Sequence, residues 1–482
     1  PNRWHVRDAM KLEHIDEPLL RFQSGEHICP RRGITAYGAF DRSMGTRRTD
    51  VILGSVGSAT CNEALDRWVT RCASEIPGVE NAKQPNLRVM FPGMNLGHGF
   101  DATLKFSQDL ARTIKKSEVD EIVGIADRRT RVTKAIELYY EHIKFLAQNR
   151  PVDVVICVLP DALFKVISTD ERGSAEETLE ASVEVASELN FRRALKARAM
   201  HLGKPLQLIR AASLESNKRG QQDDATKAWN FCTALYYKAG PRVPWKLQTD
   251  DRRPSSCAVG IAFYRSRDRQ VLNTSLAQIF DELGNGLILR GTPVDMSRDD
   301  RTPHLSANQA YDLLTAALTE YRVALRAYPA RIVVHKSSIF SKEEVDGLTR
   351  AAGDLKIDTV DLVTVMDSKL RLFRDGNYPP FRGTRVQMDE ARHLLYTRGS
   401  VWYYQTYTGL YIPQPIELRI VRSEESPSFI AREILGLTKM NWNNTQFDGK
   451  YPVTLGCARK VGEIMKYLED DASPQIRYGF YM

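Results

Sequence analysis

The sequence lacks the patterns that mark several common classes of protein. No apolar run reaches about 18 residues, so we expect no transmembrane helix and no membrane partner. The seven cysteines are scattered without a C-x-x-C pair, which argues against a zinc site and is typical of reduced thiols. The opening segment PNRWH does not resemble a signal peptide. Together these absences predict a cytoplasmic protein.

The composition sets broad limits on size and partners. A chain of 482 residues has room for two to three domains, and 42% hydrophobic with 27% charged residues is ordinary for a globular protein. The 68 basic residues exceed the 60 acidic ones, which gives a net charge of +8. This modest excess favours a polyanionic partner such as a nucleic acid, although a basic enzyme would show the same charge.

Alternating apolar runs and amphipathic segments predict an α/β protein. From Asp50 onward, short buried strands alternate with helical periodicity, which favours a mostly parallel, Rossmann-like sheet. A proline-rich stretch at 241–256 predicts a domain boundary. Strands are predicted at 51–56, 87–91, 152–159, 257–264, 271–275, 286–290, 331–335 and 357–365, and helices at 130–148, 306–326, 342–352 and 453–470.

Cationic and amide side chains gather in the segments 191–209 and 229–240. Arg192 and Lys196 are four residues apart, so they share one face of a predicted helix. Cations offset the charge of a terminal phosphate, an amide reads its oxygens, and helix ends add their dipoles. We therefore predict a pocket for the 5′-phosphate of a nucleic-acid strand. Its candidate ligands are Arg192, Lys196, His201, Lys204, Gln207 and Lys238. The alternative for the cations of 192–198 is a solvated basic helix face.

This arrangement resembles the MID domain of Argonaute proteins. Segments 255–266 and 330–340 resemble the first and the central strands of a PIWI domain, and 451–464 resembles the start of its closing helix. Their order and spacing make the combination fairly specific over residues 40–482. The resemblance implies an α/β chain with a Rossmann-like MID domain followed by an RNase H-like PIWI domain. The implied divisions are an N-terminal arm at 1–40, MID at 41–245 and PIWI at 246–482.

The resemblance also indicates which residues fill the catalytic slots of an active PIWI nuclease. Those slots hold carboxylates that bind two divalent cations. Here the first slot falls on Ala262, the next on Lys336, and the fourth near Asn443 and Asn444. Alanine cannot ligate a metal, and lysine brings a positive charge. We therefore expect a catalytically inactive protein.

Two alternatives to that expectation stay open. One is an active, guide-directed nuclease whose metal ligands lie elsewhere, among Asp295, Asp299, Asp300, Asp361 and Asp367. The other is a metabolic α/β enzyme that binds a free nucleotide.

Two further features have open interpretations. His335 and Lys336 either contact the backbone of a guide–target duplex or are a core-edge histidine beside a solvent-exposed lysine. By resemblance, the C-terminal carboxylate of Met482 reaches the MID pocket and helps to hold a structural magnesium ion at the guide 5′ end. The alternative is that the terminus packs without binding an ion.

The missing catalytic set, and a length without room for PAZ and N domains, resemble the short prokaryotic Argonautes. That type implies a small guide RNA and a single-stranded target, DNA or RNA, that is recognised without being cut. It also implies a partner with an APAZ domain fused to an effector. The effector is commonly TIR or sirtuin-like and consumes NAD in antiviral defence; less often it is a nuclease. Candidate partner surfaces are the arm at 1–40 and the aromatic section 396–412, which is otherwise explained as sheet core.

Overall fold

The structure is a computed structural model. It describes residues 10–44, 47–79, 84–168, 189–216, 221–240, 242–250, 252–267, 271–279, 286–294, 302–376, 379–409, 412–468 and 474–482. Asp295, Asp299 and Asp300, three of the alternative metal ligands, lie outside the described residues, as do residues 1–9 of the arm.

The first half of the chain alternates strands and helices from Asp50 onward, as predicted. Its strands are β1 (Lys11–His14), β2 (Leu20–Arg21), β3 (Glu26–His27), β4 (Asp50–Gly57), β5 (Thr103–Lys105), β6 (Ala111–Thr113), β7 (Val154–Leu159), β8 (Leu206–Arg210) and β9 (Lys246–Leu247). Its α-helices are α1 (Pro30–Tyr37), α2 (Ala59–Cys72), α3 (Lys116–Gly124), α4 (Arg128–Asn149), α5 (Asp161–Ile167), α6 (Phe191–Ala199) and α7 (Asp224–Lys238).

The second half has longer strands. They are β10 (Ser256–Arg265), β11 (Leu272–Ile279), β12 (Gly286–Val294), β13 (Arg331–Lys336), β14 (Thr359–Asp367), β15 (Thr384–Gln387), β16 (Arg392–Leu395), β17 (Ser400–Val401), β18 (Thr406–Tyr407) and β19 (Ile416–Arg422). The helices are α8 (Ala307–Leu325), α9 (Lys342–Asp354), α10 (Pro427–Leu437) and α11 (Val453–Met465). The helix predicted at 342–352 is α9, and a capping box between Ser341 and Glu344 starts it.

A parallel sheet organises the first half. β7 lies between β4 and β8, and both β5 and β6 pair with β4. Along β7, Val154, Ile156 and Val158 pack in the core that contains α2 and α7, whereas Val155 and Cys157 pack in the core that contains α4 and α6. Burial on both faces explains why this strand is a continuous apolar run.

A nine-stranded mixed sheet organises the second half, in the order β1-β15-β16-β19-β14-β13-β10-β11-β12. Its centre, β10, β13 and β14, is parallel, and the flanking pairs are antiparallel. Helix α11 crosses closely over β10, since a Cβ on Gly260 would lie 2.3 Å from the main-chain oxygen of Thr454. This close crossing requires glycine at that position of β10.

The N-terminal arm pairs with strands of both halves of the chain. β1 extends the nine-stranded sheet by pairing with β15, and β2 pairs with β9 in a small sheet with β3. Between these strands the Glu17 carboxylate is held by Arg382 at 3.0 Å and by Lys439 at 2.9 Å. Residues far apart in sequence therefore fix the arm.

The predicted strand at 87–91 is wrong. Of its residues only Phe91 makes a strand-like bridge, with Ile76, and the Trp229 indole donates to the main-chain oxygen of Met90. Val89 and Phe91 are apolar because they fill the core of the first half. In the described ranges, no helix is both long enough and apolar enough to cross a membrane.

Candidate nucleic-acid interface

Two buried lysines meet where α6 and α7 approach the last residue of the chain. Lys196 is 4% exposed and Lys238 is 1% exposed. The Nζ atoms of both donate to the main-chain oxygen of Met482, at 3.3 Å from Lys238. Lys238 also donates to the side-chain oxygen of Gln207 at 2.6 Å. The structure thus brings Lys196, Gln207, Lys238 and Met482 together, although they come from three elements and the terminus.

The electrostatics of this cluster favour an anion. Burial lowers the pKa of Lys196 well below its usual range, and the charges of Arg192, Lys238 and Lys460 lower it further. Burial together with Arg192 and Lys460 lowers the pKa of Lys238 in the same direction. Among the described residues no Asp or Glu side chain pairs with either lysine. A bound phosphate would offset this excess positive charge and stabilise both ammonium groups.

The other predicted ligands occupy less central positions. Arg192 is exposed on the first turn of α6, within electrostatic reach of both buried lysines. His201 instead forms a hydrogen bond of 3.2 Å with the hydroxyl of Tyr140 on α4. Lys204 lies half-buried in the turn before β8 and has no polar contact with the cluster in the described part of the chain.

Sequence reasoning missed Lys460. This half-buried residue of α11 lies close enough to lower the pKa of Lys196 and Lys238. It belongs to the segment that resembles a PIWI closing helix, but nothing in its local pattern indicates that it faces the other half of the chain. Arg193, which pairs with Glu463 at 2.7 Å, joins α6 to the same helix.

The residues present do not by themselves fit the predicted magnesium ion. The side-chain oxygen of Gln207 and the main-chain oxygen of Met482 are suitable ligands, but lysine Nζ atoms contact both. The described residues contain no group of three or more His, Cys, Asp or Glu side chains that could hold a metal. The geometry therefore places positive charge where a cation would bind.

Two of the catalytic slots, Ala262 and Lys336, are buried, whereas Asn443 and Asn444 are half-buried in a loop. Ala262 is buried in β10, where its neighbour Ile261 is in register with Lys336 on β13. Lys336 is fully buried and pairs with Glu344 on α9 at 2.7 Å. Asn444 accepts a hydrogen bond from the main-chain nitrogen of Gln446, in the loop between α10 and α11 that also contains Asn443.

The prediction that His335 and Lys336 contact a duplex is wrong. Both side chains are completely buried, so neither reaches a nucleic acid, and Lys336 is not the exposed lysine of the alternative either. The Nδ1 atom of His335 lies 2.9 Å from the hydroxyl of Thr454. Burial, with a smaller contribution from Arg331, lowers the pKa of His335 to about 3, so it is neutral at physiological pH.

The Lys336–Glu344 pair is expected to stabilise the PIWI-like half. Lys336→Met leaves the buried Glu344 carboxylate without its cation, so we expect the free energy of unfolding to fall by about 3–5 kcal/mol. Lys336→Met/Glu344→Gln should lose less than the single variant, because no charge is left unpaired. Urea denaturation measures both values. A single variant as stable as wild type, or a double variant that is less stable than the single one, would contradict this role.

The two described acids named as alternative metal ligands lie at opposite ends of β14. Asp361 is buried and pairs with Arg331 at 2.6 Å. Asp367 pairs with Lys450 at 2.9 Å and accepts a hydrogen bond from Tyr451. Six residues of a strand separate them by roughly 20 Å, which is too far for a shared metal centre.

A cavity of about 830 Å³ extends between the two halves. It reaches Lys460 and Tyr478 near the lysine cluster, and it is also lined by Thr226 on α7 and by Tyr404 and Tyr407 of the aromatic section. Basic residues outnumber the acidic one, Asp448, in its lining; they are Arg31, Arg88, Arg398, Lys450 and Lys460. Basic and aromatic side chains along one cavity suit a nucleic-acid strand.

No protein-family model matches the sequence, and no curated protein matches it. Solved structures do match. Clostridium butyricum Argonaute bound to a guide DNA and a target DNA has a TM-score of 0.68 at 17% identity, over 97% of this chain and 55% of that one. Drosophila Piwi has a TM-score of 0.58 at 12% identity, over 98% and 56%.

Marinitoga piezophila Argonaute in complex with a 5′-OH guide RNA has a TM-score of 0.56 at 12% identity, over 99% of this chain and 60% of that one. The chain thus spans little more than half the length of these structures. Because nearly all of the chain is matched in each case, the predicted fold class is confirmed. The chain has the Argonaute fold of a MID domain followed by an RNase H-like PIWI domain.

Proposed function

We propose that this protein binds the 5′-phosphate of a small guide RNA and uses the guide to recognise a complementary strand. The observation that carries the proposal is the pair of buried lysines, Lys196 and Lys238, which converge with Gln207 at the main-chain oxygen of Met482. In the described part of the chain, neither lysine pairs with an Asp or Glu side chain. Burying two cations is costly, and a bound phosphate would repay that cost through charge-assisted hydrogen bonds. Arg192 and Lys460 would strengthen the attraction at the rim.

The guide would continue from this pocket into the cavity between the two halves. Lys460 and Tyr478 line the cavity close to the lysine cluster, so a strand anchored by its phosphate can enter there. The basic lining would hold the backbone, and base pairing with a target, DNA or RNA, would supply the sequence specificity.

In this proposal, the protein is an Argonaute of the short prokaryotic type and does not cut its target. The absence of cleavage is supported by the residues at the candidate metal positions, because none of them forms a two-metal carboxylate site. These residues are Ala262, the Lys336–Glu344 pair, and Asp361 and Asp367, which lie far apart. An effect then requires a partner. We propose an APAZ-domain protein whose TIR or sirtuin-like effector depletes NAD in the cytoplasm when a target is bound, as part of prokaryotic immunity.

Guided capture of a target tests this function. The protein is loaded with a 5′-phosphorylated RNA and mixed with a complementary or a scrambled labelled strand, as DNA and as RNA, with and without Mg²⁺ or Mn²⁺. We expect retention of the complementary strand only, at full length. Metal-dependent cleavage would instead establish the nuclease alternative. Equal retention of both strands, with displacement of the guide by a free mononucleotide, would favour the nucleotide-binding enzyme.

A further inference from the structure

An exposed tryptophan tops an ordered stack of side chains near the cavity. Trp402 is 71% exposed, whereas Trp68, Trp229, Trp245 and Trp442 are at most 7% exposed. The Trp402 ring lies parallel to the ring of Phe381, with 4.8 Å between centroids and 13° between planes. The Arg374 guanidinium lies 4.1 Å from the same Phe381 centroid. Because Trp402 is 71% exposed, its indole forms the solvent-facing side of this group of side chains.

The backbone holds this stack in place before any ligand binds. The main-chain nitrogen of Arg382 donates to the oxygen of Ser400 at 2.9 Å, and the nitrogen of Ser400 donates to the oxygen of Pro380 at 3.0 Å. A Cβ on Gly399 would lie 2.4 Å from the oxygen of Pro380, so only glycine allows this approach. The two segments that carry Phe381 and Trp402 are therefore fixed relative to each other, and binding would cost little ordering entropy.

The surroundings of the stack are positively charged. The adjoining segment 369–375 has exposed Lys369 and Arg371 and half-buried Arg374, against one acid, Asp375. Tyr404, two residues after Trp402 in the same 3₁₀ turn, lines the cavity between the halves. A flat aromatic face beside cations suits a nucleobase and its phosphate, because every base can stack and the cations attract the backbone.

We infer that Trp402, supported by Phe381 and Arg374, is a stacking platform for one unpaired nucleobase where a bound strand leaves the cavity. This inference rests on the proposed binding of nucleic acid and adds a second contact, remote from the 5′-phosphate pocket. Stacking is tolerant of sequence, so the platform would select an unpaired base without reading its identity.

Abasic scanning tests the platform. Affinities of the full chain for a 5′-phosphorylated RNA, alone and paired with a target, are measured at fixed salt with single abasic sites at each position of either strand. Trp402→Ala should weaken binding about 5- to 100-fold. At one position, an abasic site should weaken wild type and leave Trp402→Ala unaffected. Trp402→Phe should keep most of the affinity. Phe145→Ala, which removes an exposed aromatic ring 4.2 Å from the Arg112 guanidinium, is the matched control and should leave the affinity unchanged.

The outcomes separate this inference from the proposed function. If wild type keeps its preference for a 5′-phosphate but Trp402→Ala binds every oligonucleotide as tightly as wild type, the platform is overturned and the pocket stands. Unchanged nucleic-acid affinity combined with weaker binding of a purified protein partner would assign Trp402 to a protein interface and equally overturn it. If wild type binds no guide RNA, the proposed function is overturned, and the platform, which rests on it, is overturned with it.

Discussion

Lys238→Met should lower the affinity for a 5′-phosphorylated RNA about 10- to 100-fold and leave the affinity for the 5′-hydroxyl RNA nearly unchanged. The reason is that the substitution removes a charge-assisted hydrogen bond to phosphate while it keeps the packing of a buried side chain. Because burial lowers the pKa of Lys238, removing this costly buried cation should offset the loss of its hydrogen bonds to Leu206, Gln207 and Met482, and the urea midpoint of the free protein should change little. Titration of both RNAs and urea denaturation of the free protein measure the two effects.

The matched control is Lys134→Met, which removes an exposed cation from α4, in the same half of the chain. It should change neither the phosphate preference nor the stability, because an exposed ion pair such as Lys134–Glu137 contributes little to the free energy of unfolding. A Lys238→Met protein that loses affinity for both RNAs equally would show that the lysine supports general backbone binding. A fall in the urea midpoint together with the loss of binding would show a structural role instead.

Glu17→Gln should cost about 3–5 kcal/mol of stability, the second large effect that we expect. Glu17 holds two buried cations, Arg382 and Lys439, whose side chains have no exposed surface. Burial raises the pKa of Glu17, but the charges and hydrogen bonds of Arg382 and Lys439 lower it by more, so the pKa lies below its usual range. For Lys439 the effect of burial has the opposite sign: it lowers the pKa to about 8, although the charge of Glu17 opposes this shift. Without the carboxylate, both cations would stay buried and unpaired.

The sign of the pH dependence follows from the lowered pKa of Glu17. Its contribution is complete above the pKa of an unfolded glutamate and is lost as the pH falls through the lower folded value. Wild type should therefore lose more stability than Glu17→Gln in this acidic range. Urea denaturation at neutral and acidic pH measures this, with exposed Glu26→Gln as the control. A Glu17→Gln protein within about 1 kcal/mol of wild type at neutral pH would refute the role of this contact in fixing the arm.

The sequence predicted helices and strands correctly where the local residue pattern matches the burial of the element. β7 is an apolar run because both faces of its sheet are covered, and α9 begins at a recognisable capping box. The segment 87–91 is equally apolar, yet its side chains fill a core without pairing as a strand. Hydrophobicity reports burial in both cases and does not distinguish a strand from a buried loop.

The candidate site was only partly predictable for a similar reason. Lys196, Gln207 and Lys238 lie within one supersecondary unit, so spacing could group them. Lys460 and the partners of Glu17 come from distant parts of the chain, and no local pattern records such contacts. Lys336 can be buried because Glu344, on the other side of a loop, pairs with it. The sequence shows only a charged residue at the end of a strand and does not indicate this pairing.

The most direct test of a 5′-phosphate pocket is the affinity of the wild-type protein for one RNA with and without its 5′-phosphate, at a fixed salt concentration. Salt must be fixed because backbone contacts alone respond to it. The two buried lysines predict binding that is at least 10-fold tighter with the phosphate. Equal affinities, or tighter binding of the 5′-hydroxyl RNA, would contradict the assignment of Lys196, Gln207 and Lys238 to a guide phosphate.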